Sequence, residues 1–404
     1  MMVLWECSPI HIISNIRRLC NPLNRGLRAT DYTLGIGALR RFYLNRRKFL
    51  AIASAAAAAA LELPFAGGQD TPLLKSYGSR CDFRVGLQAT RQNLQNQKFV
   101  DIIVPNFNLM TAGLELKWKR LRPRPDAMNF TDADFMIQFG EQRGMRIHGH
   151  NLCWNTANPG WFDTTLTREN AEKFLTEHIT AVVKQYGNRI NSWDVVNEPI
   201  DTRDGRSDGL KKGIWLDLLG PRYIDIAFQA AAAADPRPLR VLNIIEVEQD
   251  DPKADFSRSA TLDLVKQLLS RHVPIQAIGL ESHISATASS SPVGRNTFLK
   301  RLQDMGMQIL VTENDVNDGF LPSETHSRDQ KVAAAYQTYL ESILSSTSCK
   351  QVIFWTPWDG DSWLNDPKYV RADHVPYRIG LWDTDFTPKP ALAAVAAGLQ
   401  KACR

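Results

Sequence analysis

Short cysteine pairs of the kind that hold zinc are missing from this chain. Beyond residue 67 the cysteines are Cys81, Cys153, Cys349 and Cys403, and none shows metal-ligand spacing, so no metal and no other cofactor is expected. A membrane-spanning run is missing too: the longest apolar stretch, at 49–60, is about a dozen mostly alanine residues against the roughly 20 that a span needs. Charge of one sign is scarce in the body. Nine Lys/Arg against three acids give residues 1–67 a charge of +6, which leaves −1 of the chain's net +5 for the remainder. Nothing there favours nucleic acid as a partner, and a monomer without a stable membrane anchor is expected. Residues 79–404 contain no sequence repeat and no internal boundary.

Residues 1–67 read as a leader. Asn45-Arg46-Arg47-Lys48-Phe49-Leu50 followed by an alanine run to Ala60 resembles a twin-arginine export signal over about 41–65, with a basic segment preceding a weakly apolar one. Export to the periplasm or the medium is the expected localisation. Such signals sit near the start of a chain, and no Met occurs between Met2 and Met110, so a true start near Leu39 is expected. The turn-rich stretch over 68–78 reads as a linker.

From residue 79 onward, short apolar runs alternate with helix-period segments. Strands are expected at 83-FRVGLQ-88, 105-PNFNLMT-111, 145-MRIHGHNLCW-154, 190-INSWDVVNE-198, 240-RVLNIIE-246, 277-AIGLESH-283, 307-MQILVTEN-314 and 351-QVIFWTP-357. Helices are expected over 169–187, 222–234, 261–272 and 328–344. Eight strands, each followed by a helix or a helix-length crossover, predict one (β/α)8 TIM barrel over 79–404.

In that fold the site forms at the C-terminal strand ends, where polar residues interrupt these apolar runs. They are His150 and Asn151, Asn197 and Glu198, Asn243 and Glu246, Glu281 and His283, Glu313 and Asp315, and Asp359. One such acid is as readily a loop cap or an ion-pair partner, but a set at one mouth points to acid/base or nucleophilic carboxylate chemistry. Trp154, Trp161, Trp355, Trp358 and Trp363 fall at strand ends or in the following loops. Tryptophan platforms beside carboxylates suit sugars, and two carboxylates across a glycosidic bond suffice to hydrolyse it.

The segments 117-KWKRLRP-123, 149-GHNLCWN-155, 193-WDVVNEP-199, 279-GLESH-283, 311-VTENDV-316 and 353-IFWTPWDGDSWL-364 carry a resemblance across most of 80–400. They look like those of glycoside hydrolase family ten, the endo-β-1,4-xylanases. The resemblance implies hydrolysis of internal xylan linkages with retained configuration. It implies Glu198 as general acid/base, Asn197 on the sugar 2-hydroxyl and Glu313 as nucleophile, with His283 and Asp315 orienting Glu313. By the same resemblance Lys117, His150, Trp355 and Trp363 line subsites on the non-reducing side. Trp154 and Glu281 stand beside them in these motifs.

Departures from the family pattern bear on substrate. Gly113 and Leu114 stand where Glu-Asn is usual, 243-NIIE-246 replaces Asn-Asp-Tyr-Asn, and His148, Asn155 and Glu281 replace Arg, His and Gln. Two alternatives therefore stay open: a retaining β-glycosidase of other specificity, acting on β-1,4-glucan or short or decorated xylosides, and a non-catalytic sugar-binding barrel. Cys81 before the first strand and Cys349 before the eighth should meet at the N-terminal face of the barrel, to which Cys403 also returns. One disulfide from Cys81 to Cys349 or Cys403 is expected, with Cys153 buried.

Overall fold

The computed structural model describes residues 73–78, 83–287 and 292–401. The leader, its export signal, Cys81 and Cys403 lie outside them.

Nine parallel strands form the sheet: β1 (Arg84–Ala89), β2 (Leu109–Ala112), β3 (Arg146–His150), β4 (Ser192–Asn197), β5 (Leu239–Ile244), β6 (Ala277–Leu280), β7 (His283–Ser285), β8 (Gln308–Asn317) and β9 (Gln351–Phe354). Neighbours run in order from β1 to β6, β6 pairs with β8, β8 with β9, and β9 returns to β1. Eight of the nine thus close a barrel, as expected. The ninth, β7, continues the line of β6 and pairs with the far end of β8.

Seven helices form the crossovers between barrel strands, α1 (Gln97–Ile103), α2 (Thr131–Gln142), α3 (Ala171–Tyr186), α4 (Tyr223–Ala234), α5 (Pro252–Ser270), α6 (Val293–Asp304) and α7 (Thr325–Ser346), and α8 (Pro390–Leu399) follows the last strand. Each lays an apolar stripe on the sheet; in α3 the stripe is Leu175, Ile179, Val182, Val183 and Tyr186. The strands are buried on both faces, which is why they read as continuous apolar runs. β4 is buried along its whole length. Close approach has a price at Gly149, where a Cβ would lie 2.1 Å from the Trp193 ring.

Several boundaries differ from expectation. The helix expected over 261–272 begins at Pro252, because Asp251 caps it by accepting from the Ala254 N–H and Pro252 suits the first turn. The strand expected over 277–283 breaks at Ser282, whose φ is +60°. The run 145–154 leaves the regular ladder at His150, although the Leu152 N–H still donates to the Asp194 carbonyl at 2.9 Å, and 105–111 contributes only its end. Residues Leu74–Gly78, within the stretch read as a linker, form a short helix with Leu74 fully buried. Cys349 carries a free, buried thiol 3.0 Å from the Gln351 carbonyl, so the Cys81–Cys349 bridge is not formed. The Cys403 alternative lies outside the described residues. Cys153 is free and fully buried, as expected. Among the described residues no helix is long and apolar enough to cross a membrane.

Candidate active site

A cleft of about 700 Å³ opens at the C-terminal ends of the strands. Lys117, His150, Trp154, Asn197, Glu198, Glu281, His283, Glu313, Trp355 and Trp363 all line it. Asp315 is fully buried behind His283.

Three strand ends present side chains here through left-handed backbone: Glu198 after β4 has φ +47°, Glu246 after β5 has φ +61°, and Ser282 after β6 has φ +60°. For a residue with a Cβ this costs on the order of 1–2 kcal/mol. At Glu198 the turn is held by its own N–H, which donates to the Asn243 carbonyl at 2.9 Å.

Asn243, on β5, is the hub. Its Nδ2 lies 2.7 Å from Asn197 Oδ1, 2.8 Å from Glu313 Oε1 and 3.2 Å from Glu281 Oε1. Its own Oδ1 accepts from the Thr312 hydroxyl at 2.6 Å, which fixes the amide's orientation. A Cβ at position 279 would come within 2.3 Å of that oxygen, so β6 needs Gly279 to leave room for it.

Around Glu313 the charges are sorted. Burial alone would lift its carboxyl, but the His150 ring and the hydrogen bond and charge of His283 outweigh it and hold Glu313 below the ordinary glutamate range. Glu281 goes the opposite way: burial first, then the charges of Glu313 and Glu198, push it well above that range. Burial disfavours charge on His283 as well, yet Asp315 and then Glu313 raise its imidazole well above the usual value. His283 Nδ1 lies 2.8 Å from Asp315 Oδ1, whose other oxygen accepts the Trp363 indole N–H at 2.6 Å. His150 Nδ1 is 2.9 Å from Asp194 Oδ2 and 3.7 Å from Glu313 Oε1. The surroundings thus bias Glu313 toward its carboxylate, Glu281 toward its neutral acid and His283 toward its charged form. Burial lowers Lys117, against the opposing pull of Glu313, Glu198 and Glu281. Its ammonium sits 4.8 Å over the Trp154 ring and 5.9 Å from that of Trp355.

The model of Glycosyl hydrolase family 10 matches residues 74–398. This chain belongs to that family. It is 28% identical over 334 residues to the endo-1,4-beta-xylanase B of Thermotoga neapolitana, covering 81% of this chain and 92% of that protein. It is 29% identical over 317 residues to the endo-1,4-beta-xylanase 3 of Hypocrea jecorina, 78% of this chain and 82% of that protein. The native xylanase 10B of Thermotoga maritima superimposes with a TM-score of 0.74 at 28% identity, over 81% of this chain and 98% of that one.

Some residues expected at this family 10 cleft are elsewhere. Trp161 packs on Phe162 and Phe174 and donates to the Arg122 carbonyl, while Trp358 stacks 4.6 Å from Phe386. Asp359 is a buried partner of Lys389 at 2.8 Å. Others went unnoticed in the sequence. Lys211 makes a short ion pair with Glu198 Oε2. It arrives there because residues 200–210 fold back on themselves: Ile200 bridges Leu210, and the Lys211 N–H donates to the Pro199 carbonyl at 2.8 Å. No local motif announces that return. Glu246, already marked as a strand-end acid and standing where the family pattern has its second Asn, is pinned by Lys253 at 2.6 Å.

Proposed function

We propose that this chain is a retaining endo-β-1,4-xylanase that cleaves internal linkages of xylan or xylo-oligosaccharides by double displacement. The observation that carries this is the pair Glu198 and Glu313 in one cleft, with His150 and His283 holding the Glu313 carboxyl below the ordinary glutamate range. In the first step Glu313 attacks the anomeric carbon while Glu198 protonates the departing oxygen. In the second, Glu198 takes a proton from water, which displaces Glu313 and restores the β-configuration.

Asn243 and Asn197 form the polar floor, with the Asn197 amide reaching the sugar 2-hydroxyl. Lys117, His150, Trp355 and Trp363 bind the sugars on the non-reducing side, with Trp154 under Lys117. His283 and Asp315 orient Glu313. Glu281 accepts from the Asn243 amide beside Glu313. The substrate is the polysaccharide, met by a monomer outside the cytoplasm; the paired Arg46-Arg47 ahead of an alanine-rich run supports export through a twin-arginine route.

Leu114, exposed in the cleft, and Glu246 favour a second reading in which short or decorated xylosides are preferred to plain xylan. Release of reducing ends from xylan, xylo-oligosaccharides and soluble cellulose by wild type and Glu313→Ala tests both. Xylan cleavage lost in Glu313→Ala supports the first reading, cleavage confined to short xylosides supports the second, and cleavage of cellulose alone overturns both.

A further inference from the structure

Three donor atoms in the cleft face one another. Asn243 engages Oε1 of both Glu281 and Glu313, which leaves Oε2 of each turned toward the His283 ring. His283 Nε2 lies 3.8 Å from Glu281 Oε2 and 3.5 Å from Glu313 Oε2. One ligand atom from each of the three residues lies within 4.8 Å of the other two. Glu281 is only 3% exposed, and the oxygen that accepts from Asn243 is its Oε1.

The far side of the imidazole is also prepared. Asp315 accepts at Nδ1, so a neutral His283 carries its proton there and turns the Nε2 lone pair toward the two glutamates. A carboxylate behind a histidine in this way is how proteins orient histidine metal ligands. Zinc takes imidazole nitrogen and carboxylate oxygen at roughly 2.0–2.2 Å in a tetrahedron, which spaces its ligands about 3.3–3.5 Å apart. The two separations to His283 Nε2, 3.5 and 3.8 Å, are within a few tenths of an ångström of that, and the two carboxylate oxygens lie within 4.8 Å of each other. A second cluster, His150, Asp194 and Glu313, is less suited, because Asp194 Oδ2 already lies 2.9 Å from both His148 and His150.

We propose that Glu281, His283 and Glu313 form a site for a divalent transition-metal ion of the zinc type, and that an ion bound there blocks the cleft. Coordination displaces the protons on His283 and Glu281 into solvent and occupies the carboxylate that reacts with the sugar. Glu281 decides the matter: a glutamine there would offer a neutral amide in place of an anionic oxygen. The fourth coordination position opens to the cleft.

Titration of Zn2+ into chelator-treated protein by isothermal calorimetry at pH 7 tests this, with Glu281→Gln as the isosteric comparison. One site in the wild type, weakened at least tenfold in Glu281→Gln, is the expected result. Thermal unfolding in metal-free buffer checks that the variant is folded, and Asp315→Asn should weaken the same site through His283. Equal Zn2+ affinity in wild type and Glu281→Gln overturns the proposal, as does absence of binding to the wild type. Calorimetry reads the site whatever the substrate is. Where hydrolysis is observed, inhibition by Zn2+ should weaken in Glu281→Gln by the same factor as binding.

Discussion

The side-chain nitrogen of Asn243 lies 2.8 Å from Glu313 Oε1, and the two residues are 70 positions apart. The same nitrogen reaches Asn197, so one amide on β5 ties the end of β4 to the reactive carboxylate on β8. Asn243→Ala should therefore misplace Glu313 rather than unfold the barrel. A hydrogen bond to a charged group is worth about 1.5–3 kcal/mol, so kcat/KM on xylo-oligosaccharides should fall roughly 10- to 100-fold. Steady-state kinetics beside thermal unfolding would check this; unchanged kcat/KM in a folded variant would remove Asn243 from the machinery.

Glu198 and Glu313 should respond differently to the leaving group. An activated aryl leaving group needs little protonation, so Glu198→Ala should retain the first chemical step on aryl xylosides while losing it on unactivated oligosaccharides. Glu313→Ala should lose both. NMR of the first-formed sugar product should show the β-anomer in the wild type, and an α-product would exclude double displacement.

Glu281 makes stability depend on pH. Its folded-state titration is raised by burial and by the charges of Glu313 and Glu198. Between the ordinary glutamate range and that raised value, the folded state holds a proton that the unfolded chain has lost. Stability then falls as pH rises, by up to about 1.4 kcal/mol per pH unit for one proton. Glu281→Gln cannot ionise and lacks that slope. Urea unfolding at pH 5 and pH 8 in metal-free buffer should show the variant gaining on the wild type at the higher pH. A difference independent of pH would mean that Glu281 is already ionised in the folded protein.

The cleft wall at Leu114 should be improvable, but not by restoring both residues of the family pattern. A Cβ at Gly113 would fall 1.7 Å from the Gln88 amide nitrogen, so Gln88 already fills the space a side chain there would need. Leu114→Asn alone should add a hydrogen bond worth about 0.5–1.5 kcal/mol and raise kcat/KM on longer xylo-oligosaccharides roughly 2- to 10-fold. Gly113→Glu should give no gain until Gln88 is also shortened. Equal kinetics for Leu114→Asn and wild type would place this residue outside the sugar path.

The barrel was legible in the amino-acid sequence because parallel strands buried on both faces are largely apolar, so polar residues gathered toward their C-terminal ends stand out. That constraint alone marked His150, Asn197, Glu198, Glu281, His283 and Glu313, since a carboxylate or amide closing a buried run requires a reason. Side chains whose surroundings come from distant segments were not legible. Trp161 and Trp358 fall in loops that follow strands, and Trp355 directly follows one, yet the first two pack on Phe162 and Phe386 while Trp355 faces sugar space. Lys211 reaches Glu198 only because residues 200–210 fold back, and Asn243 becomes a hub only once β5 lies between β4 and the β6–β8 closure. Periodicity records which way a residue faces along its own element. Which partner it meets across the barrel depends on closure and loop return, and these contacts link residues too far apart in the chain for any local pattern to record.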